Sequence, residues 1–462
     1  MSIGRNLRRE KGNLRDNIMN VIDSNNSLER PPCPLCGKGR IRPIDILDGK
    51  HLTFQCPIPD CTWTGQALLP EIRKKIIYLD TSTVSHMARA LKREESNSPW
   101  IDLYERLRSA TGAEVICCPG SSIVENEAEL SLYSKEIVRL SRGFGDPGLR
   151  HELQIERAQI FRALRRYLSN VSPMLETTPP LKDAFVGPVH RWLPMYNISV
   201  NLPMPDWLVE THRMTKASIR DQLERVYQEY EAQGAQFEEI RKREVRGFGE
   251  ATITIGIRSL RRRVGLESTP PGEEEIASFI PNTFDLLTYS LQKDLKISFK
   301  ESIARVSEFL LSEHLALIPV ADIKAKLHAG LAMLCRGAYP RLPKPGDPYD
   351  IDHLATFLPY LDILLADRFF ADLCNQSHLR LGDLYGCEIR SLGPTDIPDF
   401  IAHLDKIVES APQAELASRI VYAIHAGDFH QEFAERAEAF LRARGIDPYA
   451  KFPKEKKGGE PD

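Results

Sequence analysis

Four cysteines in two close pairs constrain this chain before anything else. Cys33-Pro-Leu-Cys36-Gly37 is a tight knuckle, and Cys56-Pro-Ile-Pro-Asp-Cys61 is a looser one further along. Two thiolates with two residues between them can both face one ion, and the glycine supports the turn that brings them round. Between the knuckles, Ile41, Ile44, Ile46, Leu52 and Phe54 alternate as in the strands of a small hairpin. Four soft ligands match a closed, tetrahedral, structural Zn²⁺ site. A module this short cannot build its own core, so the metal is expected to supply most of its folding energy. His51 lies within the module, but the four thiols already complete the ligand shell. The other five cysteines (Cys117, Cys118, Cys335, Cys374 and Cys387) sit in apolar stretches, and nine is an odd total. That is no disulfide framework, and free thiols indicate a reducing, cytoplasmic setting.

Residues 31–66 resemble the zinc ribbon family, with a second knuckle wider than the commonest spacing. Ribbons of this kind either bind nucleic acid or dock onto protein. Trp63 with Lys38, Arg40, Arg42 and Lys50 leans towards nucleic acid but leaves both open.

The rest of the chain is too long for one small domain. Its 462 residues carry 61 Lys+Arg against 64 Asp+Glu, a net charge of −3. It does not coat a polyanion along its whole surface, so any nucleic-acid contact must be local. No apolar run approaches the roughly 18 residues of a membrane span, and Met1-Ser-Ile-Gly-Arg-Asn lacks the apolar core of a secretory signal. Neither is expected.

The patterning divides as follows. Residues 1–30 read as a basic amphipathic helix and 31–70 as the thiol module. Residues 71–144 alternate strand and helix: Ile76-Ile-Tyr-Leu79 ends at Asp80, and Glu114-Val-Ile-Cys-Cys118 ends at Pro119-Gly120. Residues 145–342 are mostly helical, and 343–395 return to α/β, with a helix from Asp350 to Tyr360, a strand Asp362-Ile-Leu-Leu-Ala and a short strand Glu388-Ile-Arg. Residues 396–450 are helical, and 451–462 form a polar tail. The fold class is α/β, a parallel sheet flanked by helices, with an N-terminal four-cysteine zinc module and a large α-helical insertion.

Four carboxylates stand out on this map. Asp80 and Asp367 close apolar strands, where ligands gather in open parallel sheets. Glu125 follows the second strand on the next helix, with Glu127 and Glu129 nearby, and Asp350 opens a later helix. Like charges brought within a few ångströms cannot all ionise without a cation. An oxygen-rich, thiol-free set suits Mg²⁺ or Mn²⁺ and metal-assisted phosphodiester hydrolysis. Each acid also has a plainer reading: an Asp after a strand often only caps a helix, as expected of Asp362. Asp347 is a second candidate cap of the Asp350 helix, and Asp352, about 200° from Asp350, points elsewhere unless the helix begins later; whether either joins the acidic site stays open. His86, His353 and His430 show no mutual metal spacing and read as core or surface histidines.

In this order the motifs resemble the PIN-domain, metal-dependent nucleases. The likeness is carried by the strand ending Asp80-Thr81-Ser82, the strand, proline and helix bearing Glu125, and the run from Asp350 to Asp367. It implies a PIN-like sheet with Asp80, Glu125, Asp350 and Asp367 as catalytic acids, with Asp80, Asp350 and Asp367 on the metal. Thr81 or Ser82 would be the polar position beside the first acid. RNA rather than DNA as substrate is likewise an implication of the family. Two departures are the long helical insertion and Leu365-Ala366 where the family often has a hydroxyl before the last acid.

Residues Arg241 to Arg263 carry a local basic excess, and Arg157, Arg162, Arg165 and Arg166 form a second group. These, with Arg261 and Arg262 as candidates for substrate phosphates, are expected either to steer a nucleic-acid strand or to form a solvated, charge-balanced face. A regulatory protein partner or a second copy of the chain fits such a molecule; a membrane does not. The rival reading is a non-catalytic binding scaffold; a small-molecule phosphatase explains the thiol module and basic clusters poorly.

Overall fold

The computed structural model describes residues 32–93, 98–128, 131, 133–144, 147–192, 220–267, 281–336 and 340–425. The expected N-terminal helix, the polar tail and the last part of the C-terminal helices lie outside the described residues.

The thiol module folds as an antiparallel sheet of β1 (Arg42–Leu47), β2 (His51–Gln55) and β3 (Thr64–Leu68) in that order. Asp48 and Gly49, both at positive φ, form the tight turn between β1 and β2. The module packs on its own chain. Trp192, Ala417 and Ile420 join its core, and the Trp192 indole N–H donates to the Pro70 carbonyl at 2.8 Å.

The second sheet is fully parallel. Its strands are β4 (Lys75–Leu79), β5 (Ile116–Cys117), β6 (Ile363–Leu365) and β7 (Glu388–Arg390), in the order β5-β4-β6-β7. Ile76 to Leu79 and Ile363 to Leu365 are buried throughout, as strands covered on both faces require. Each such aliphatic side chain contributes roughly 1.5–3 kcal/mol. β5 is shorter than the expected run over 114–118.

Flanking helices follow the strands: α1 (Thr81–Lys92), α2 (Pro99–Gly112), α3 (Ser122–Ala128), α4 (Ser134–Gly143) and α5 (Glu152–Leu168). Beyond helical residues 220–232 come α6 (Phe237–Arg263), α7 (Thr283–Leu295), α8 (Phe299–Leu310) and α9 (Pro319–Leu334). The chain closes with α10 (Asp347–Phe357), α11 (Arg368–Cys374), α12 (Leu381–Tyr385), α13 (Ile397–Glu409) and α14 (Gln413–His425). α10 starts three residues earlier than expected, with Pro348 in its first turn, where a missing N–H costs nothing.

The helical insertion is not an appendage. One hydrophobic core runs from Ile76 of β4 through Ile155, Ile240 and Phe309 to Leu331 and Leu365. α9 is its hub: Gly330 lies against Leu373 of α11 and Leu379, and Tyr385 of α12 donates its hydroxyl to the buried Asp322. Among the described residues no helix is long and apolar enough to cross a membrane.

Candidate functional site

In sequence order the parallel strands run 2-1-3-4 across the sheet, so the chain leaves β4 towards β5 on one side and later returns to β6 on the other. The crevice at the carboxyl ends of β4 and β6 is therefore the switch point where open α/β sheets hold ligands. Leu79 pairs with Leu365, and the Asp80 N–H donates to the Leu365 carbonyl at 3.0 Å. That register delivers Asp80 and Asp367 to this crevice from strands far apart in the chain.

Both acids cap helices. Asp80 Oδ2 accepts from the Ser82 hydroxyl at 2.9 Å and the Ser82 N–H at 3.4 Å, at the start of α1. Asp367 Oδ1 accepts from the Phe370 N–H at 3.0 Å, at the start of α11. The capping role and the crevice position coexist, and capping holds each carboxylate in a fixed rotamer.

α10 supplies Asp350 from its first turn, anchored where Phe357 packs on Tyr78 of β4 with ring centroids 5.3 Å apart. Asp80, Asp350 and Asp367 line one hollow with Tyr78, Phe357 and Phe370, and about 20 Å³ of it is open to a water-sized guest. That holds one water or one ion. No lysine or arginine lines it among the described residues.

The electrostatics follow from this crowding. Burial, with the charges of Asp80, Glu127, Asp367 and Asp347, pushes the Asp350 carboxyl up to about 9. Burial raises Asp80 to about 6; the Ser82 hydrogen bond opposes the shift, and the charges of Glu127 and Asp367 add to it. Asp80 and Asp350 are thus a crowded pair, and a cation beside them would favour their ionised forms.

Two residues depart from the sequence reading: Glu127 stood there only as an alternative to Glu125, and His353 was not placed at the site. The glutamate whose charge acts strongly on both Asp80 and Asp350 is Glu127, the alternative to Glu125 on the same helix. Both lie on α3, where two residues are about 200° of rotation. Thr81 sets the pairing by donating its hydroxyl to Glu127 Oε2 at 2.6 Å. Thr81 therefore positions a carboxylate, while Ser82 holds Asp80. The second is His353, expected in a core or at a surface. It lines the same hollow, and one ring nitrogen lies within 4.8 Å of carboxylate oxygens of both Asp80 and Asp350. The Asp350-x-x-His353 spacing on one helix was the available signal.

The neighbouring acids separate cleanly. Asp347 is 2% exposed and bound by both Arg341 guanidinium nitrogens at 2.6 and 2.7 Å, with the Lys344 N–H donating at 2.7 Å. Asp352 pairs with Lys324 at 2.8 Å, away from the hollow as expected. Asp362 is not a helix cap: at the opposite edge of the sheet it accepts from the Ile76 N–H at 2.8 Å and Lys75 Nζ at 2.9 Å.

Part of the basic cluster is neutralised within the fold. Arg241 pairs with Glu238 and Asp322, Arg246 with Glu250, Arg258 with Glu267 and Arg263 with Asp285. Arg162 likewise pairs with Glu176 and Asp183. Arg261 and Arg262 sit on the last turn of α6 and do not line the acidic hollow.

The thiol cluster is a separate centre. Sulfurs of Cys33, Cys36, Cys56 and Cys61 all lie within 4.8 Å of one another, with Cys33–Cys61 at 3.6 Å and Cys36–Cys56 at 3.7 Å. Zn–S bonds of about 2.3 Å imply a tetrahedron edge of about 3.8 Å, so these four residues fit a zinc ion. Backbone N–H groups of Gly39 and Lys38 lower the Cys36 thiol to about 6, favouring the thiolate that binds metal. Gly39 is required there, since a Cβ would lie 2.5 Å from Cys56 Sγ.

Comparison with protein-family models, curated proteins and solved structures finds no match to this chain.

Proposed function

We propose that this chain is a divalent-metal-dependent nuclease with a PIN-like acidic site, acting on single-stranded RNA in a reducing, cytoplasmic setting. The observation that carries this reading is that Asp80, Asp350 and Asp367, from three separate elements, line one hollow at a sheet switch point, with the charge of Glu127 acting on two of them. Mg²⁺ or Mn²⁺ held there would supply Lewis acidity for an attacking water and a charge clamp on the phosphoryl oxygens. Asp80, Asp350 and Asp367 would be its ligands. Glu127, held by the Thr81 hydroxyl, would accept the water's proton. Tyr78, Phe357 and Phe370 give the hollow apolar walls that strengthen the charges inside it. The choice of RNA rests on the resemblance to ribonuclease-rich PIN domains, as does the wider expectation of a regulatory partner or a second copy. The thiol module, stabilised by Zn²⁺, braces the C-terminal helix α14 against the sheet domain.

One observation favours the rival, a non-catalytic scaffold: Asp80 and Asp367 both have structural work as helix caps. Labelled single-stranded RNA and DNA of one sequence, incubated with Mn²⁺, Mg²⁺ or EDTA, separate the two. The nuclease reading expects metal-dependent cleavage, RNA faster than DNA, abolished by Asp80→Asn. No cleavage of either strand, or cleavage that survives Asp80→Asn, overturns it.

A further inference from the structure

We propose that His353 is a ligand in the acidic hollow, so that the site takes a first-row transition ion such as Mn²⁺ in preference to Mg²⁺. This rests on the carboxylate site proposed above and goes beyond it by naming the ion and a nitrogen donor.

The argument is geometric. His353 follows Asp350 by three residues on α10, and that spacing stacks both side chains on one helix face. The ring is 4% exposed and lines the same hollow as Asp80, Asp350 and Asp367. A ring nitrogen and one oxygen from each of Asp80 and Asp350 lie within 4.8 Å of one another, close enough to share one ion. The three donors come from two elements with fixed positions: the cap of α1 and the first two turns of α10.

The donor set decides the ion. Mg²⁺ takes oxygen ligands in a strict octahedron and keeps several waters, and an imidazole in a largely apolar hollow serves it poorly. First-row transition ions accept imidazole readily, and affinity rises from Mn²⁺ towards Cu²⁺. The carboxylates keep the set hard enough for Mn²⁺, while the histidine penalises Mg²⁺. The thiol cluster is all sulfur and selects zinc, so the two centres discriminate by ligand type.

The test uses the full-length protein, zinc-loaded at the thiols, titrated with Mn²⁺ and followed by electron paramagnetic resonance. The proposal expects one bound Mn²⁺ per chain, resistant to excess Mg²⁺, whose electron-spin-echo modulation shows coupling to a ¹⁴N nucleus. In His353→Gln that coupling disappears and Mn²⁺ affinity falls by at least about tenfold, while Mg²⁺ affinity does not fall. Bound Mn²⁺ without nitrogen coupling in the parent, or parent-like Mn²⁺ affinity in His353→Gln, overturns the histidine ligand and leaves the carboxylate site standing. The parent spectrum settles this even if the variant fails to fold. A parent that binds no Mn²⁺, or binding unchanged by Asp80→Asn, overturns the carboxylate site and the inference with it.

Discussion

Individual carboxylates in this molecule do opposite jobs according to what faces them. Asp347 meets a guanidinium and Asp362 an ammonium and a backbone N–H, whereas Asp80 and Asp350 meet each other and Glu127. Breaking the buried Arg341–Asp347 pair strands a charge, so Asp347→Asn should lower unfolding stability by about 3 kcal/mol in chemical denaturation. Asp350→Asn should do the reverse in EDTA. Its folded pKa of about 9 and that of Asp80, about 6, lie above the unfolded value of about 3.9, so ionisation opposes folding. Stability of the metal-free protein therefore falls as pH rises from about 4 through these values. Asp350→Asn removes much of that loss, a gain on the order of 1–3 kcal/mol near pH 8 and none near pH 4. Thermal unfolding across pH measures it; a variant no more stable than the parent at high pH would contradict the crowding argument. On catalysis, Glu127→Gln should cost about 10²–10⁴ in cleavage rate and Glu125→Gln little. Equal losses would mean that α3 presents the other glutamate.

The elements show which parts of the architecture could be read locally. β4 and β6 are short apolar runs, and the acids that follow them were visible in the sequence, as were the knuckles and the hairpin between them. β3, Thr64-Gly-Gln-Ala-Leu, has no such signal and is a strand only because β2 pairs with it. The phase of α3 was equally hidden: two glutamates two apart fit the same helix, and a hydroxyl forty-odd positions earlier, on Thr81, selects between them. His353 carried a legible spacing to Asp350, but its meaning depends on Asp80, which only the β4–β6 register brings near. Asp362 looked like a cap because its partner lies on β4. α6 gives the element-scale test. A Cβ on Gly249 would strike the Leu310 carbonyl, and one on Gly256 the Phe284 ring, so these two glycines let α6 approach α7 and α8. Gly249→Ala should cost about 1–3 kcal/mol by overpacking, since backbone cannot move aside as a side-chain tip can. An unchanged denaturation midpoint would mean that α6 is less tightly seated.

At the scale of the whole molecule, two metal-ready centres are carried by one continuous body. The long insertion shares the sheet's core, and the thiol module is locked to Trp192 and α14. Loss of the thiol-bound ion should therefore be felt beyond the module. Cys36→Ser is expected to lose bound zinc by elemental analysis and to expose the Trp192 surroundings to hydrogen exchange, with the sheet's central amides still protected. The central claim concerns the other centre, where acids from distant stretches of chain share one hollow for a cation. The most direct measurement is anomalous diffraction from crystals of the full chain soaked in Mn²⁺. A single strong peak is expected within bonding distance, about 2.0–2.6 Å, of Asp80 and Asp350 oxygens. A fully soaked crystal with no peak in that hollow, or with manganese held only elsewhere on the surface, would contradict it.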